Sequence, residues 1–131
     1  MATDLLTIAK RIADRAEAES VQQDVPVAVT VIDTHGNVVL THRMTGAPAF
    51  PLDLAERKAY PSALLGMATA DLVPLVQPGA ELYPLLAVSG GRYSAMGGGV
   101  PLTNEGEVIA GVGVSGGTTE QDIAIVEAAM E

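Results

Sequence analysis

The chain has no cysteine and no tryptophan among its 131 residues, and it has only one phenylalanine and three tyrosines. The absence of cysteine excludes a disulfide framework, a thiolate nucleophile and a zinc or iron–sulfur site built on cysteine. The shortage of aromatic rings leaves no platform on which the bases of a single-stranded nucleic acid could stack. We therefore expect a core of alanine, valine, isoleucine and leucine, and no nucleic-acid partner.

Basic side chains are also scarce: seven lysines and arginines stand against sixteen acidic residues, which gives a formal net charge of −9. This charge repels phosphate backbones and anionic membrane surfaces. No apolar run approaches the roughly 20 residues that a membrane span needs. The segment from Met1 to Lys10 lacks the basic start, apolar centre and cleavage site of a secretion signal. We expect a cytoplasmic protein with no membrane partner.

The length and the 48% content of hydrophobic residues favour one compact domain over residues 1–131. Apolar residues at helical spacing predict a first helix from Asp4 to Gln22, which Asp4 or Thr3 can cap. Two runs rich in β-branched residues follow, at 26–33 and 38–43, and the turn between them predicts a β-hairpin.

Pro51 is well placed to begin a second helix, which Pro61 should interrupt or kink. A short helical stretch is predicted at 69–76. The stripe expected to be buried in the second helix consists of Leu52, Leu54, Ala55, Ala59, Leu64 and Leu65.

The last third of the chain predicts three further strands, at 85–88, 92–96 and 108–114. Thr118 and Gln121 have the spacing of a capping box, which predicts a last helix to about Met130. Because strands and helices do not alternate regularly, we predict an α+β domain, in which helices flank a five-stranded antiparallel sheet.

Four segments of the chain stand out together: Asp33 to Ala47, Glu56 to Ala59, Gly97 to Leu102, and Gly111 to Gly117 followed by Glu120 to Asp122. In this order they are similar to the GlcG/HbpS-type family of haem-binding proteins, called "haem-degrading", which includes the C-terminal corrinoid-binding domain of PduO-type proteins. The resemblance covers nearly the whole chain.

The resemblance implies a profilin-like or roadblock-like layered domain that assembles into a homo-oligomer, a dimer or larger. It also implies haem or cobalamin as the class of cofactor. In the corrinoid-binding relatives a histidine of the N-terminal helix is an axial ligand, whereas the first predicted helix of this chain contains no histidine. We therefore predict no metal ligand from the sequence.

Three of the seven basic residues, Arg43, Lys58 and Arg92, fall in or beside these segments. Arginine forks and the amides of a glycine-rich loop could together bind a carboxylate, a phosphate or a tetrapyrrole propionate. The alternative is structural, with Arg43 and Lys58 paired to Asp33, Asp53 or Glu56. The ligand-binding residues predicted for an intersubunit cleft are Arg43, Lys58, Arg92, Gly97, Gly98, Gly99 and Val100.

The two histidines differ in what their positions suggest. His35 falls in the hairpin turn, which favours an exposed turn residue. His42 lies near the end of the second strand, where it could act as a general acid or base, as an axial ligand, or only as a polar cross-strand residue. Two histidines seven positions apart are not a zinc motif without further ligands.

Two functions from different classes remain open, beside a weaker case for a purely structural assembly protein. The first is a binding protein for an anionic small molecule, in particular a tetrapyrrole. The second is a cofactor-free isomerase, lyase or tautomerase, in which Arg43 and Arg92 hold a carboxylate or enolate and Lys58 or His42 moves the proton.

Overall fold

The computed structural model describes residues 4–131. Within that range the helices and strands follow one another with short connections, apart from two 3₁₀ segments between the third helix and the third strand. In chain order the elements are α1 (Leu5–Gln23), β1 (Ala28–Asp33), β2 (Val38–Arg43), α2 (Phe50–Leu65), α3 (Thr69–Leu72), the 3₁₀ segments Val73–Val76 and Tyr83–Gly91, β3 (Gly99–Asn104), β4 (Glu107–Ser115) and α4 (Thr119–Ala129).

Both terminal helices begin where the sequence predicts. Asp4 caps α1, since its carboxylate accepts hydrogen bonds from the Thr7 hydroxyl at 2.6 Å and the Thr7 amide at 3.2 Å. These bonds lower the pKa of the Asp4 carboxyl. Thr3, the alternative cap, lies outside the described residues. At α4, the Thr118 hydroxyl and the Gln121 side chain accept bonds from each other's backbone amides, which confirms the capping box.

The sheet has four antiparallel strands in the order β2-β1-β4-β3, so the prediction of five strands is wrong. The hairpin of β1 and β2 is confirmed. Residues 85–88, predicted as a strand, lie in a 3₁₀ segment, and residues 92–96 form no strand. The fourth strand of the sheet is instead β3, at an edge, where proline 101 is tolerated.

The physical reason for the missing strand lies in the backbone after Val88. Ser89 and Gly90 both adopt positive φ, at 54° and 67°, which breaks the extended conformation. None of the residues in Tyr83–Gly91 is buried, so the apolar side chains of that segment do not reach the core. A run of strand-forming residues does not make a strand without a partner to pair with.

Helices cover both faces of the sheet and make a three-layered domain. Val29 and Val31 of β1 point to the layer of α1 and α4, where the larger core cluster lies. Ile32 points to the opposite face and packs with Ala59 and Tyr60 of α2. The alternation of a strand therefore assigns each strand residue to one of two helical layers.

α2 lies unusually close to β4 because Gly111 and Gly113 present no side chain to it. A Cβ atom at Gly113 would overlap the backbone carbonyl of Ala55, and one at Gly111 that of Ala59. α2 continues through Pro61 to Leu65, so this proline does not end the helix. Part of its predicted buried stripe is wrong, because the side chains at its C-terminal end are exposed, namely Leu64 and Leu65.

Candidate functional site

Lys58 lies in the interior, with 1% of its surface exposed. Its Nζ atom donates to Oδ2 of Asp122 at 2.9 Å and to the backbone carbonyl of Val114 at 3.0 Å. The other carboxylate oxygen of Asp122 accepts from the amide of Gly117 at 2.9 Å. This buried ion pair therefore joins α2, the end of β4 and the start of α4.

The glycine-rich loop lies directly against Lys58, so the structure brings together these parts of the predicted site. A Cβ atom at Gly98 would be only 2.9 Å from Nζ of Lys58 and 2.7 Å from the carbonyl of Val114. Gly98 also has a φ of +126°, which glycine adopts readily. The amide of Gly99 donates to the Thr69 hydroxyl at 2.9 Å, so the loop uses this donor internally.

A cavity of about 250 Å³ opens beside this loop. Its walls are mainly apolar, and its charged members are the carboxylates of Asp71 and Glu127. This charge opposes the binding of an anion, although Gly98, Gly99 and Val100 contribute to the lining as predicted. The remaining lining residues are Ala68, Ala70, Ile123 and Val126.

The other two predicted cations lie at opposite ends of the β1–β2 hairpin. Nη1 of Arg43, at the end of β2, donates to the carbonyl of Ala47 at 2.8 Å. Nη2 of Arg92 donates to the carbonyl of Gly36 in the hairpin turn at 2.9 Å, and its guanidinium lies 3.8 Å above the ring of Tyr60. Within one protomer, then, Arg43, Lys58 and Arg92 do not form one cluster.

The ion pairs of the structural alternative, in which acidic neighbours hold Arg43 and Lys58, are also missing from the contacts described over residues 4–131. Lys58 pairs with Asp122, and Arg43 bonds to a backbone carbonyl. The three carboxylates expected as their partners were Asp33, Asp53 and Glu56. Glu56 lies instead 3.7 Å from Nη2 of Arg92.

The two histidines lie in different parts of the β1–β2 hairpin. His42 pairs with Val29 across the hairpin and points to the layer of α1, where its Nδ1 is 3.2 Å from Oε2 of Glu17. Lys58 is on the other face of the sheet, so the two side chains predicted to move a proton are separated by the sheet. His35 lies in the exposed hairpin turn, and its amide donates to the Asp33 carboxylate at 2.9 Å.

A larger open groove of about 400 Å³, here called the Arg57 groove, lies between α2 and the segment 76–96. Arg57 supplies its positive charge. Nε of Arg57 bonds to both carboxylate oxygens of Asp53 at 3.1 Å, and Nη1 bonds to the carbonyl of Gly91 at 2.9 Å. The other lining residues are Val76, Gln77, Pro78, Tyr83, Leu86, Tyr93, Ser94, Ala95 and Met96.

Tyr93 forms the inner wall of this groove and packs edge-on against Tyr60, with ring centroids 5.0 Å apart. Burial, followed by a hydrogen bond with Tyr60, raises the pKa of the Tyr93 phenol above its ordinary value of 10.0. Arg57 is not among the site residues predicted from the sequence. The signal was present, because Asp53 four residues earlier predicts an ion pair on the exposed side of the helix.

Neither a cluster of metal ligands nor a single membrane-spanning helix is found among residues 4–131. No group of three or more histidine, cysteine or acidic side chains there could hold a metal ion. No single helix in the same range is long and apolar enough to cross a membrane. The bent pair of α2 with the segment 69–76 passes that test of length and composition, at an angle of 79°, but α2 packs on the sheet.

Two curated relatives resemble the chain along most of its length. An uncharacterized 15.0 kDa protein in the dhaT-dhaS intergenic region of Citrobacter freundii is 40% identical over 131 residues, which are all of this chain and 92% of that protein. The corrinoid adenosyltransferase PduO of Salmonella typhimurium is 41% identical over 117 residues. That match covers 88% of this chain but only 35% of PduO, so the chain corresponds to about a third of that enzyme.

Several solved structures are similar to the chain in both fold and sequence. The complex of PduOC with haem has a TM-score of 0.92 and 35% identity, and the match covers 99% of this chain and 94% of PduOC. The protein ORFY of Klebsiella pneumoniae gives 0.91 and 35%, with coverage of 95% and 86%. HbpS gives 0.88 and 29%, with coverage of 98% and 89%. A family profile described as "Haem degrading protein HbpS-like" matches residues 5–131, and the chain therefore belongs to the HbpS-like family.

Proposed function

We propose that this protein binds an anionic tetrapyrrole, haem or a corrinoid, in the Arg57 groove. The observation that carries the proposal is the likeness to PduOC, which was solved as a complex with haem and matches 99% of this chain at 35% identity. The relation to a corrinoid adenosyltransferase supports the same class of ligand. The finer assignment, to the Arg57 groove rather than the cavity beside the glycine loop, rests on the charged and apolar residues that line each of them.

The Arg57 groove fits such a ligand better than the cavity beside the glycine loop. Its volume of about 400 Å³ lies in the usual range of roughly 300–1,000 Å³ for small-molecule sites. Val76, Leu86 and Met96 offer apolar surface to a macrocycle, and Arg57 offers a guanidinium to a propionate. The smaller cavity presents Asp71 and Glu127 instead, which would repel a carboxylate.

The role of Arg57 is then to fix the acidic edge of the ligand. Its bonds to Asp53 and to the carbonyls of Gly90 and Gly91 hold the guanidinium in place before a ligand arrives. A cation that is already positioned loses little side-chain entropy on binding. Asp53 compensates part of its charge, but the guanidinium remains the charged group with which the lining of this groove can meet an anion.

The test is a titration of the protein with haemin, followed by absorbance, on the wild type and on Arg57→Gln. We expect a saturable, stoichiometric shift and a Kd raised about tenfold or more by the substitution, because a charge-assisted hydrogen bond contributes about 1.5–3 kcal/mol. Arg11→Gln is the matched control: this exposed arginine of α1 lies on the other face of the sheet, so Kd should change less than about twofold. Circular dichroism verifies that both variants fold.

Two outcomes would contradict the proposal at different levels. An affinity that Arg57→Gln leaves unchanged, but that Arg43→Ala weakens, would return the site to the intersubunit cleft predicted from the sequence. The absence of any saturable shift with haemin or aquocobalamin would overturn tetrapyrrole binding itself. We also propose that the protein is a homo-oligomer, so light scattering should accompany the titration and give the number of subunits.

A further inference from the structure

We infer that Met96 supplies the axial ligand to the iron when haem is bound in the Arg57 groove, through its thioether sulfur. This inference rests on the proposed function. Haem bound in the groove would need an axial ligand for its iron, because haem iron in proteins is held by an axial histidine, cysteine, methionine or tyrosine. The chain has no cysteine, so three residue types remain.

Within one protomer, histidine is excluded by position. The lining of the Arg57 groove, over the part of the chain that the structure describes, contains no histidine. His42 lies on the opposite face of the sheet from α2, with its Nδ1 turned to Glu17. His35 lies in the hairpin turn and does not line the groove either.

Tyrosine is present in the groove twice. A phenol binds iron strongly only after it loses its proton. Tyr93 is half-buried and packs against Tyr60, and both features favour its protonated form. Tyr83 lies in the exposed 3₁₀ segment and is as accessible as Met96, so it serves below as the competing ligand.

Met96 has the properties that the position requires. It lines the groove together with Arg57, and 42% of its surface is exposed, so its side chain can meet a ligand without disturbing the core. A thioether carries no proton and needs no deprotonation to bind a metal. Methionine is also a known axial ligand of haem iron and raises its reduction potential. The flexible side chain can adjust to the height of the macrocycle.

The experiment compares haemin with metal-free protoporphyrin IX, which has the same macrocycle and propionates but no iron. In Met96→Leu we expect the Kd for haemin to rise about tenfold, whereas that for protoporphyrin IX changes less than about twofold. The sulfur-to-iron charge-transfer band of the wild-type complex should disappear, and the midpoint potential should fall. Met67→Leu is the matched control, since Met67 lies outside the groove and should leave every value unchanged.

The two probes separate the inference from the proposed function. If protoporphyrin IX and haemin both bind the wild type but the iron shows no sulfur ligation, or Met96→Leu leaves the spectrum unchanged, the assignment of Met96 is wrong while the groove stands. Loss of the ligand signature in Tyr83→Phe would likewise overturn it in favour of the phenol. If neither probe binds the wild type, the proposed function fails, and this inference fails with it.

Discussion

Removing one partner of the buried pair between Lys58 and Asp122 should be among the most damaging single changes in this protein. Both side chains are almost completely buried, at 2% and 4% exposed, and only 2.9 Å separates the charged atoms. Lys58→Met leaves the Asp122 carboxylate without its counter-ion in the interior. Breaking a buried pair in this way costs about 3–5 kcal/mol, against a total stability of about 5–15 kcal/mol for a domain of ordinary size.

The measurement is urea unfolding at neutral pH and fixed protein concentration, with the midpoint and the m value fitted separately. Lys58→Met and Asp122→Asn should each lower the free energy of unfolding by about 3–5 kcal/mol. The double variant should lose less than the sum by about 2–3 kcal/mol, because neither charge is then left alone. Lys10→Met, at the only other lysine, which is exposed on α1, should change stability by less than about 0.5 kcal/mol.

A loss below about 1 kcal/mol in Lys58→Met would refute this reasoning, because that value is typical of an ion pair in water. Strict additivity in the double variant would refute it as well, since the two side chains would then act independently. A loss below about 1 kcal/mol would also mean that Lys58 is accessible in solution. Lys58 would then return as a candidate for direct contact with a ligand.

Two further predictions concern the face of the sheet that α2 covers and the wall of the groove. Gly113→Ala should destabilise the protein by about 2 kcal/mol or more, because the new Cβ would overlap the carbonyl of Ala55. Gly79→Ala is the control: this position lies in open space with a φ of +90°, so the substitution should cost only about 1–2 kcal/mol of backbone strain. Thermal unfolding measures both losses of stability, and equal losses would contradict the prediction. The raised pKa of Tyr93 means that the unfolded chain loses this phenolic proton first, so its contribution to stability is complete below pH 10 and is lost as the pH rises through the folded pKa. Because the chain has no tryptophan, phenolate absorbance can follow its three tyrosines directly: we expect Tyr93→Phe to remove the component that titrates late, and an unchanged titration curve would contradict this assignment.

The parts of the fold that local sequence determines were predicted well. α1, the β1–β2 hairpin and α4 each carry their own signals, namely an N-cap, a glycine turn and a capping box. The edge strand β3 was missed because Gly99 and Pro101, at its start, are residues that disfavour strands. That segment becomes a strand only through pairing with β4, and such a contact is not written in local propensity.

The candidate site shows the same division between local and distant information. Lys58 lies against the glycine loop because both contact the end of β4. Lys58 finds its counter-ion 64 residues further along the chain, and no local spacing indicates that partner. Arg57, the residue before Lys58, was not predicted. Because successive residues of a helix differ by about 100° in direction, Arg57 faces the groove while Lys58 faces the interior.

The neighbouring positions of Arg57 and Lys58 have a mechanical consequence. Any rotation of α2 about its axis that moved the guanidinium in the groove would also pull the ammonium away from Asp122, and any tilt away from the sheet would open the close contact at Gly111 and Gly113. The interior thus acts as a stop that fixes the angle of the helix. A ligand that contacts Arg57 therefore meets a helix whose orientation is already fixed by its buried contacts, so no binding free energy is lost in repositioning the helix.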